Sequence, residues 1–407
     1  MRLFERLLGK VKRTMPIESD KPRNEYYENI SVRFGIAQVV LYLLLFSFVI
    51  LSMLANTELI TYRNFYDFFK DLGATADAVD IFETDSLTYP TDEAQSFGLY
   101  RKGLAVAGNS SVTVFSATGR QILSVPISYR NPTVVSAGKY FLVYEAGGTR
   151  YSLYNSDVQI HSDTMEYPIT GATISDSGKF ALISSSQTHN SVVYLYSSKF
   201  NCTAYYNFKE YVMDVALNSK GTHIAILYST AREGSFTTSV KIAEVGKDQA
   251  LADLKVSSAL GLSCAFTDGA RVAVVCSDRI AYYTTDGQQT TDTFLFDGMS
   301  LVSMDIGKGG VALSLKKSAV SNENRVIVFD KNGKIVYNDT VFEKLGQIRY
   351  TEDTVFWTTP DGVSRLRLKS REIDRVSCVT DGRTLLALGE GEVLSCSSGK
   401  AVYIGFR

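Results

Sequence analysis

A short hairpin-like segment recurs along this chain at a step of about 40 residues. Its clearest copy is "ISDSGKFALI", and the related copies are "SAGKYFLV", "NSKGTHIAIL", "FTDGARVAVV" and "VTDGRTLLAL". The turns of this series are centred, in chain order, on Gly103, Gly138, Gly178, Gly221, Gly269, Gly309, Asp353 and Gly382. A step this regular indicates a repeat architecture, in which each unit buries its apolar faces against its neighbours.

Each repeat also contains a second hairpin, such as "SVTVFSATGRQILSV" from Ser111 or "RVIVFDKNGKIVYN" from Arg325. Four short strands in about 40 residues are typical of a β-propeller blade. The sequence therefore predicts an all-β propeller of about eight four-stranded blades, with seven as the alternative count. The segment "AVDIFET", 78–84, is a spare strand that we expect to pair with the last blade and close the ring. Two β-sandwiches are the competing architecture.

An apolar segment precedes the repeats, "FGIAQVVLYLLLFSFVILSML", residues 34–54, which has no charged residue in 21 positions. A helix of that length spans roughly 30 Å, the thickness of a bilayer core, so we expect one transmembrane helix. Residues 1–33 hold eight Lys/Arg against five Asp/Glu, which predicts a cytoplasmic N-terminus. The predicted organisation is a basic leader at 1–33, the transmembrane helix at 34–54, a juxtamembrane helical stem at 55–77 and an extracytoplasmic propeller at 78–407.

The turn form of "SDSGKFAL", "TDGARVAV" and "TDGRTLLAL" resembles the hairpins of TolB-like, YVTN and WD-repeat propellers. The basic leader, the apolar segment and "ITYRNFYDFFKDLGATAD", 60–77, resemble an uncharacterised family of single-pass membrane proteins from Gram-positive bacteria, a domain of unknown function. This resemblance implies a propeller that is anchored to the cytoplasmic membrane and lies on its outer side. It implies no activity.

Catalytic motifs are missing from the sequence, which has no G-x-S-x-G, HExxH or phosphate-binding loop. His161, His189 and His223 fall in different repeats without ligand spacing, so we predict no metal site and no cofactor. Aspartates recur beside the turn glycines, where their side chains satisfy backbone N–H groups; they are Asp176, Asp268, Asp286, Asp297, Asp361 and Asp381. Five cysteines are expected to act mainly as buried thiols. Cys264 and Cys276 belong to one hairpin, in which the residue opposite Cys264 should lie near position 273.

Candidate binding residues come from the loops that join the second strand to the third and one blade to the next. These loops share one face of a propeller, and Tyr and Arg are favoured in binding hot spots. The candidates are Arg130, Glu166, Tyr167, Lys209, Tyr211, Arg232 and Lys316.

The expected function is therefore non-enzymatic binding or scaffolding at the bacterial cell envelope. The expected partner is an envelope protein, or less favourably a glycan, with membrane lipid contacted through residues 34–54. The formal net charge of −1 gives no field that would attract nucleic acid. The alternative is a glycan-processing hydrolase or lyase with carboxylates near the propeller channel.

Overall fold

The computed structural model describes residues 34–35, 37–47, 86–100, 103–116, 119–155, 158–247, 249–307, 309–318, 321, 323–351, 353–378 and 384–406. The chain divides into two compact units, Met1–Thr75 and Ala76–Arg407. Residues 34–35 and 37–47 of the first unit are helical with exposed side chains. Within the described residues, no helix combines the length and the apolar character needed to cross a bilayer. The predicted leader, the entire predicted stem at 55–77 and residues 48–54 of the predicted span lie outside the described residues.

The described residues of the second unit form 32 strands in eight four-stranded antiparallel sheets. The first strands are β1 Ser86–Thr88, β2 Gln95–Tyr100, β3 Gly103–Gly108, β4 Ser111–Phe115, β5 Gln121–Pro126, β6 Pro132–Ala137, β7 Tyr140–Glu145, β8 Arg150–Asn155, β9 Gln159–Thr164, β10 Gly171–Ile174, β11 Phe180–Ser184, β12 Ser191–Tyr196, β13 Cys202–Phe208, β14 Tyr211–Leu217, β15 His223–Arg232, β16 Ser235–Glu244 and β17 Ala250–Ser257.

The remaining strands are β18 Gly261–Phe266, β19 Arg271–Cys276, β20 Arg279–Thr284, β21 Phe294–Leu295, β22 Ser300–Gly307, β23 Gly310–Lys316, β24 Glu323–Asp330, β25 Ile335–Phe342, β26 Ile348–Thr351, β27 Thr354–Thr359, β28 Gly362–Arg367, β29 Ile373–Ser377, β30 Thr384–Ala387, β31 Glu392–Ser397 and β32 Lys400–Gly405. Blades 1 to 7 each take four consecutive strands from β2 onward. Blade 8 has the order β1-β32-β31-β30. We call the strands of every blade A to D from the innermost outward.

The eight sheets form a closed ring, as the repeats predict. Each A strand contacts the A strands of both neighbouring blades, and the series ends with β30 against β2. Eight hydrophobic clusters fill the eight junctions between blades, one cluster for each junction. The B and C strands are buried on both faces, as in the fully buried β3, whereas D strands such as β5 alternate between exposed and half-buried residues. Burial of both faces explains the nearly continuous apolar runs of the central strands.

Ring closure depends on the short N-terminal strand β1, which supplies the D strand of blade 8. Leu87 pairs with Ala401, and the Tyr89 hydroxyl donates to the Ser397 carbonyl oxygen at 2.8 Å. The prediction that a strand before the repeats pairs with the last blade and closes the ring is confirmed. The strand itself begins at Ser86, and the predicted segment 78–84 lies outside the described residues.

The turn chemistry follows the predicted pattern in most blades. Gly178 adopts φ +83° in the turn between β10 and β11, a conformation that favours glycine. The carboxylate of Asp268 accepts hydrogen bonds from the backbone N–H groups of Ala270 and Arg271, at 2.8 and 2.7 Å. At this position aspartate stabilises its own turn, as the sequence predicts.

Two sequence predictions need correction. The count of seven blades is wrong, because eight sheets are present. The turn between strands A and B of blade 8 lies at 388–391 and not at Gly382, which precedes β30 and lies outside the described residues; with its D strand supplied by β1, this blade takes only three strands from the C-terminal segment. Cys264 lies opposite Val274, close to the predicted position, because the hairpin turn closes between Thr267 and Arg271.

Candidate binding surface

The connections between blades and the turns between strands B and C lie on one side of the ring, which we call the BC face. The backbone N–H of Arg130 donates to Glu145 at 2.9 Å, and that of Ile169 donates to the Gly148 carbonyl oxygen at 2.6 Å. Asn190 donates from its side chain to the Lys209 carbonyl oxygen at 2.5 Å. These bonds tie each connection to a neighbouring turn, so the loops form a fixed surface. The opposite side, with the A–B and C–D turns, is the AB face.

All seven predicted binding residues belong to segments of the BC face. Arg130, Glu166, Lys209, Tyr211 and Arg232 are exposed, and Tyr167 and Lys316 are half-buried. They are spread over several blade junctions: Arg130 lies between blades 1 and 2, Glu166 and Tyr167 between blades 2 and 3, and Lys209 between blades 3 and 4. Tyr211 and Arg232 share the sheet of blade 4, and Lys316 belongs to blade 6.

A feature that the sequence pattern did not reveal is a β-bulge in the A strand of three consecutive blades. In blade 4 the extra residue is Met213, in blade 5 it is Leu262, and in blade 6 it is Val302. Each bulge lies near the start of its strand, at the BC-face side, and each extra residue is apolar. Bulges are common next to functional sites, where they redirect a side chain. Here they place Met213 and Val302 partly in solvent, 38% and 42% exposed.

Large exposed apolar residues accompany these bulges on the BC-face side of blades 4 and 6. Tyr211 begins β14, Phe236 lies beside the tip of the β15–β16 hairpin, and Phe342 ends β25 with 73% of its surface exposed. We call this set the BC patch: Tyr211, Met213, Phe236, Val302 and Phe342. Aromatic residues and Met are enriched at protein interfaces, where they contribute much of the binding energy.

The residue after each bulge takes part in a hydrogen bond that joins two neighbouring blades. Asp214 accepts hydrogen bonds from the Ser263 hydroxyl at 2.6 Å and the Cys264 backbone N–H at 3.0 Å, across the junction of blades 4 and 5. Ser303 accepts from the Ile348 backbone N–H at 3.0 Å, across the junction of blades 6 and 7. The exposed bulge residues therefore project from strands that are cross-linked to the next blade.

Two carboxyl groups on the innermost strands have raised pKa values. Burial raises the pKa of Asp214, although its hydrogen-bond donors oppose the shift. Burial also raises the pKa of Asp305, which accepts from the Tyr350 backbone N–H at 2.8 Å and lies 3.7 Å from the Arg349 guanidinium. Blade 5 separates the two strands, and each carboxylate bonds to the backbone of the following blade.

The connection next to Phe342 is anchored by a buried polar cluster. Glu343 accepts from the indole N–H of Trp357 at 3.0 Å and from the Ser364 hydroxyl at 3.2 Å, and it forms an ion pair with Arg375. Trp357 is fully buried. This anchoring fixes the backbone from which Phe342 extends into solvent.

A cleft of about 380 Å³ opens on the AB face between blades 6 and 7. Its lining includes Asp330 and Asp353, but the Asp330 carboxylate accepts from the N–H groups of its own turn, at Asn332 and Lys334. Asp353 forms an ion pair with Lys369. Tyr350 at the base of the cleft has a pKa raised to about 12 by burial. Both carboxylates are therefore engaged in structural contacts.

The histidines and cysteines occupy separate structural positions. His161 stacks on Phe200 with ring centroids 4.8 Å apart, and the His189 and His223 side chains contact polar groups of their own turns. Among the described residues, no cluster of three or more His, Cys, Asp or Glu could hold a metal ion. The five cysteines are free: Cys264, Cys276 and Cys396 are buried, Cys378 is half-buried and Cys202 is exposed.

Several solved structures are similar to this chain in fold. The C-terminal WD40 domain of Sif2 aligns with a TM-score of 0.57 at 12% identity, covering 79% of this chain and 98% of that domain. BamB from Moraxella catarrhalis aligns with a TM-score of 0.54 at 13% identity, covering 79% and 99%. Sqt1 from Chaetomium thermophilum, solved with the N-terminus of ribosomal protein L10, aligns with a TM-score of 0.55 at 11% identity, covering 80% and 99%. At these identities the likeness shows the fold alone.

No curated protein sequence matches this chain. A family model does match it over residues 83–378, which is more than half of the chain and includes blades 1 to 7 and β1. The protein is a member of DUF5711, a family of unknown function.

Proposed function

We propose that this protein is a non-enzymatic binding module that holds a protein partner on the BC face of its propeller. The observation that supports this proposal most directly is the BC patch beside three consecutive bulged strands. A rigid ring that exposes Tyr, Phe, Met and Val on its BC face has the composition of a protein interface there. The similar propeller of Sqt1 was solved with a bound protein segment, which adds support by analogy.

We further propose that the apolar segment at 34–54 anchors the chain in the cytoplasmic membrane, with the propeller outside. The length of the uncharged segment and the basic residues before it support this orientation. Cys202 offers a direct test because it is exposed and lies in blade 3. A membrane-impermeant maleimide should label Cys202 on intact cells. Labelling that requires cell lysis would contradict the orientation.

The competing proposal is a glycan-processing enzyme. Such an enzyme needs two carboxylates that converge on one substrate, one of them with a raised pKa. Asp214 and Asp305 have raised pKa values, but both are bonded across blade junctions. Asp353 lines the cleft on the AB face, so an Asp353→Asn variant tests the enzyme proposal. This variant should bind the partner normally. If the wild type releases sugar from envelope glycan and the variant does not, the result would favour the enzyme.

The protein-binding proposal is tested by photo-crosslinking of the full-length protein in its native membrane. A photoreactive residue at Phe236 or Phe342 should give one discrete adduct of constant mass. The same residue at Tyr205, which is exposed on the outer strand of blade 3, is the matched control and should give none.

Substitution of the patch gives the second arm of this experiment. Tyr211→Ala combined with Val302→Asp should reduce the adduct by at least about tenfold, because loss of a hot-spot residue costs roughly 2 kcal/mol or more. Both side chains are exposed, so the fold should persist with an unchanged melting temperature. An adduct of equal yield from Tyr205, or one insensitive to the double substitution, would contradict the proposal.

A further inference from the structure

The exposed large aliphatic residues of the propeller include a second group, far from the BC patch. Ile122, Val158, Leu251, Ile335, Val336 and Ile373 are each between 38% and 46% exposed. Every one of them lies at or next to the start of a D strand, where the chain leaves the C–D turn. They belong to blades 1, 2, 4, 6 and 7, so they are distributed around the ring. We call this group the CD rim.

The outer strands change character along their length. In β17 the exposed side chains run from Leu251 through Asp253 to Lys255, and in β29 they run from Ile373 to Arg375. In these two strands an apolar residue stands at the AB-face end and polar or charged residues follow toward the BC face, whereas β25 also carries exposed Phe342 at its BC-face end. Single apolar surface residues are common, so the distinguishing feature of the CD rim is that they recur at the same end of the D strand in five blades.

Exposed cations stand in the C–D turns directly beside these aliphatic residues. The turns contain the exposed side chains of Arg120, Lys199, Lys247, Lys331, Lys334 and Arg371. Long cationic side chains next to aliphatic ones are typical of surfaces that meet a lipid headgroup layer, because the alkyl part lies on apolar groups while the charge reaches phosphate.

The direction of β1 places the attachment of the preceding chain on this same side. Ser86 pairs with Val402 and Thr88 pairs with Lys400, so β1 runs toward the BC face. The preceding chain therefore joins the ring from the AB-face side. The sequence before Ser86 contains the uncharged segment 34–54, which is the proposed membrane anchor.

We infer that the AB face of the propeller rests on an anionic lipid surface through the CD rim and its neighbouring cations. The inference rests on the proposed membrane anchoring and is independent of the protein partner on the BC face. Cations near an anionic surface attract it independently of one another, so several acting together hold the ring against the lipid. The BC face is then left open for its partner.

The test uses the full-length protein in nanodiscs of pure phosphatidylcholine or of phosphatidylcholine with phosphatidylglycerol. Lysine acetylation is followed by mass spectrometry. We expect Lys199, Lys247, Lys331 and Lys334 to react at least about threefold more slowly in the anionic discs, because the net negative charge of phosphatidylglycerol holds these side chains against the headgroup layer. Lys209, Lys317 and Lys344 lie on the BC face and serve as matched controls with unchanged rates.

A variant separates the apolar contribution from the charges. Ile122→Ser, Leu251→Ser and Ile373→Ser together change only exposed side chains and should remove the protection while leaving the melting temperature unchanged. Equal reactivity of the two lysine groups in both discs would overturn the inference. So would protection of the BC-face lysines, or protection that appears in detergent without lipid. Failure of the protein to enter the discs would instead contradict the anchoring, which distinguishes the two results.

Discussion

Asp214 illustrates how single polar residues stabilise the junctions of this ring. Its carboxylate bridges blades 4 and 5, yet burial raises its pKa. The folded state therefore binds this proton more tightly than the unfolded state, in which the carboxyl has its ordinary pKa of 3.8. The stability that protonation provides is complete below that value and is lost as the pH rises through the folded pKa.

We expect an Asp214→Asn variant to reveal this loss of stability through the pH dependence of its melting temperature. The amide retains an oxygen acceptor but does not ionise. The melting temperature of the variant relative to the wild type should rise between about pH 4 and pH 7. An Asp339→Asn variant, which changes an exposed residue of β25, is the control for the substitution of Asp by Asn. A falling difference for Asp214→Asn would contradict the sign of the shift.

Trp357 is a second residue whose contribution can be isolated. A Trp357→Phe variant keeps an aromatic ring in the core but removes the donor to Glu343. We expect a loss of about 2 kcal/mol in the free energy of unfolding, the usual value of a hydrogen bond to a charged group. Ser364→Ala removes the other donor to the same oxygen and should cost about 1 kcal/mol. Denaturant unfolding followed by circular dichroism measures both, and equal losses would contradict this ranking.

At the scale of single elements, the short strand β1 closes the ring, and the junction between blades 8 and 1 depends on it. It has three residues, but Leu87 packs into the cluster that joins blades 8 and 1. Only one face of the strand meets that cluster, because neighbouring side chains point to opposite sides. The pattern offers a matched pair of substitutions within one strand.

We expect Leu87→Asp to destabilise the propeller by about 4 kcal/mol or more, because it buries an unpaired charge in the junction. Thr88→Asp places the same charge on the exposed side of β1 and should change stability by less than about 0.5 kcal/mol. Thermal unfolding of the two proteins provides the comparison. Similar melting temperatures would show that β1 does not close the ring.

On the scale of the whole molecule, eight equivalent junctions should make the ring unfold as one unit. Cys264 and Cys276 are buried in blade 5, and Cys396 is buried in blade 8. Burial raises the pKa of all three thiols, that of Cys276 to about 12, so they are unreactive in the folded state.

We expect these three thiols to become reactive toward iodoacetamide at the same denaturant concentration, although they lie in distant blades. Exposed Cys202 should react throughout and serves as the internal control. Mass spectrometry of each labelled peptide measures the separate midpoints. Midpoints that differ between blades 5 and 8 would show that the blades unfold independently.

The sequence predicts most of the fold because its signals are local. Gly178 and Asp268 mark their turns through backbone conformation and short-range hydrogen bonds, which depend only on neighbouring residues. The placement of a turn at Gly382 was wrong because its sequence pattern is local, whereas the strand order of blade 8 is decided by a partner some 300 residues away in the chain. The face that bears the seven binding candidates was also predictable, since loop position follows from strand order.

By itself, the sequence determined the repeat, the strand-forming segments and the turns, because alternation and turn residues act over a few positions. Tertiary structure alone decided which strand closes the ring and where the A strands bulge. Met213, Leu262 and Val302 look like ordinary strand residues, and only pairing with the adjacent strand leaves each one without a partner. Likewise, Ile122, Leu251 and Ile373 lie far apart in the chain and share a rim only once the ring has closed.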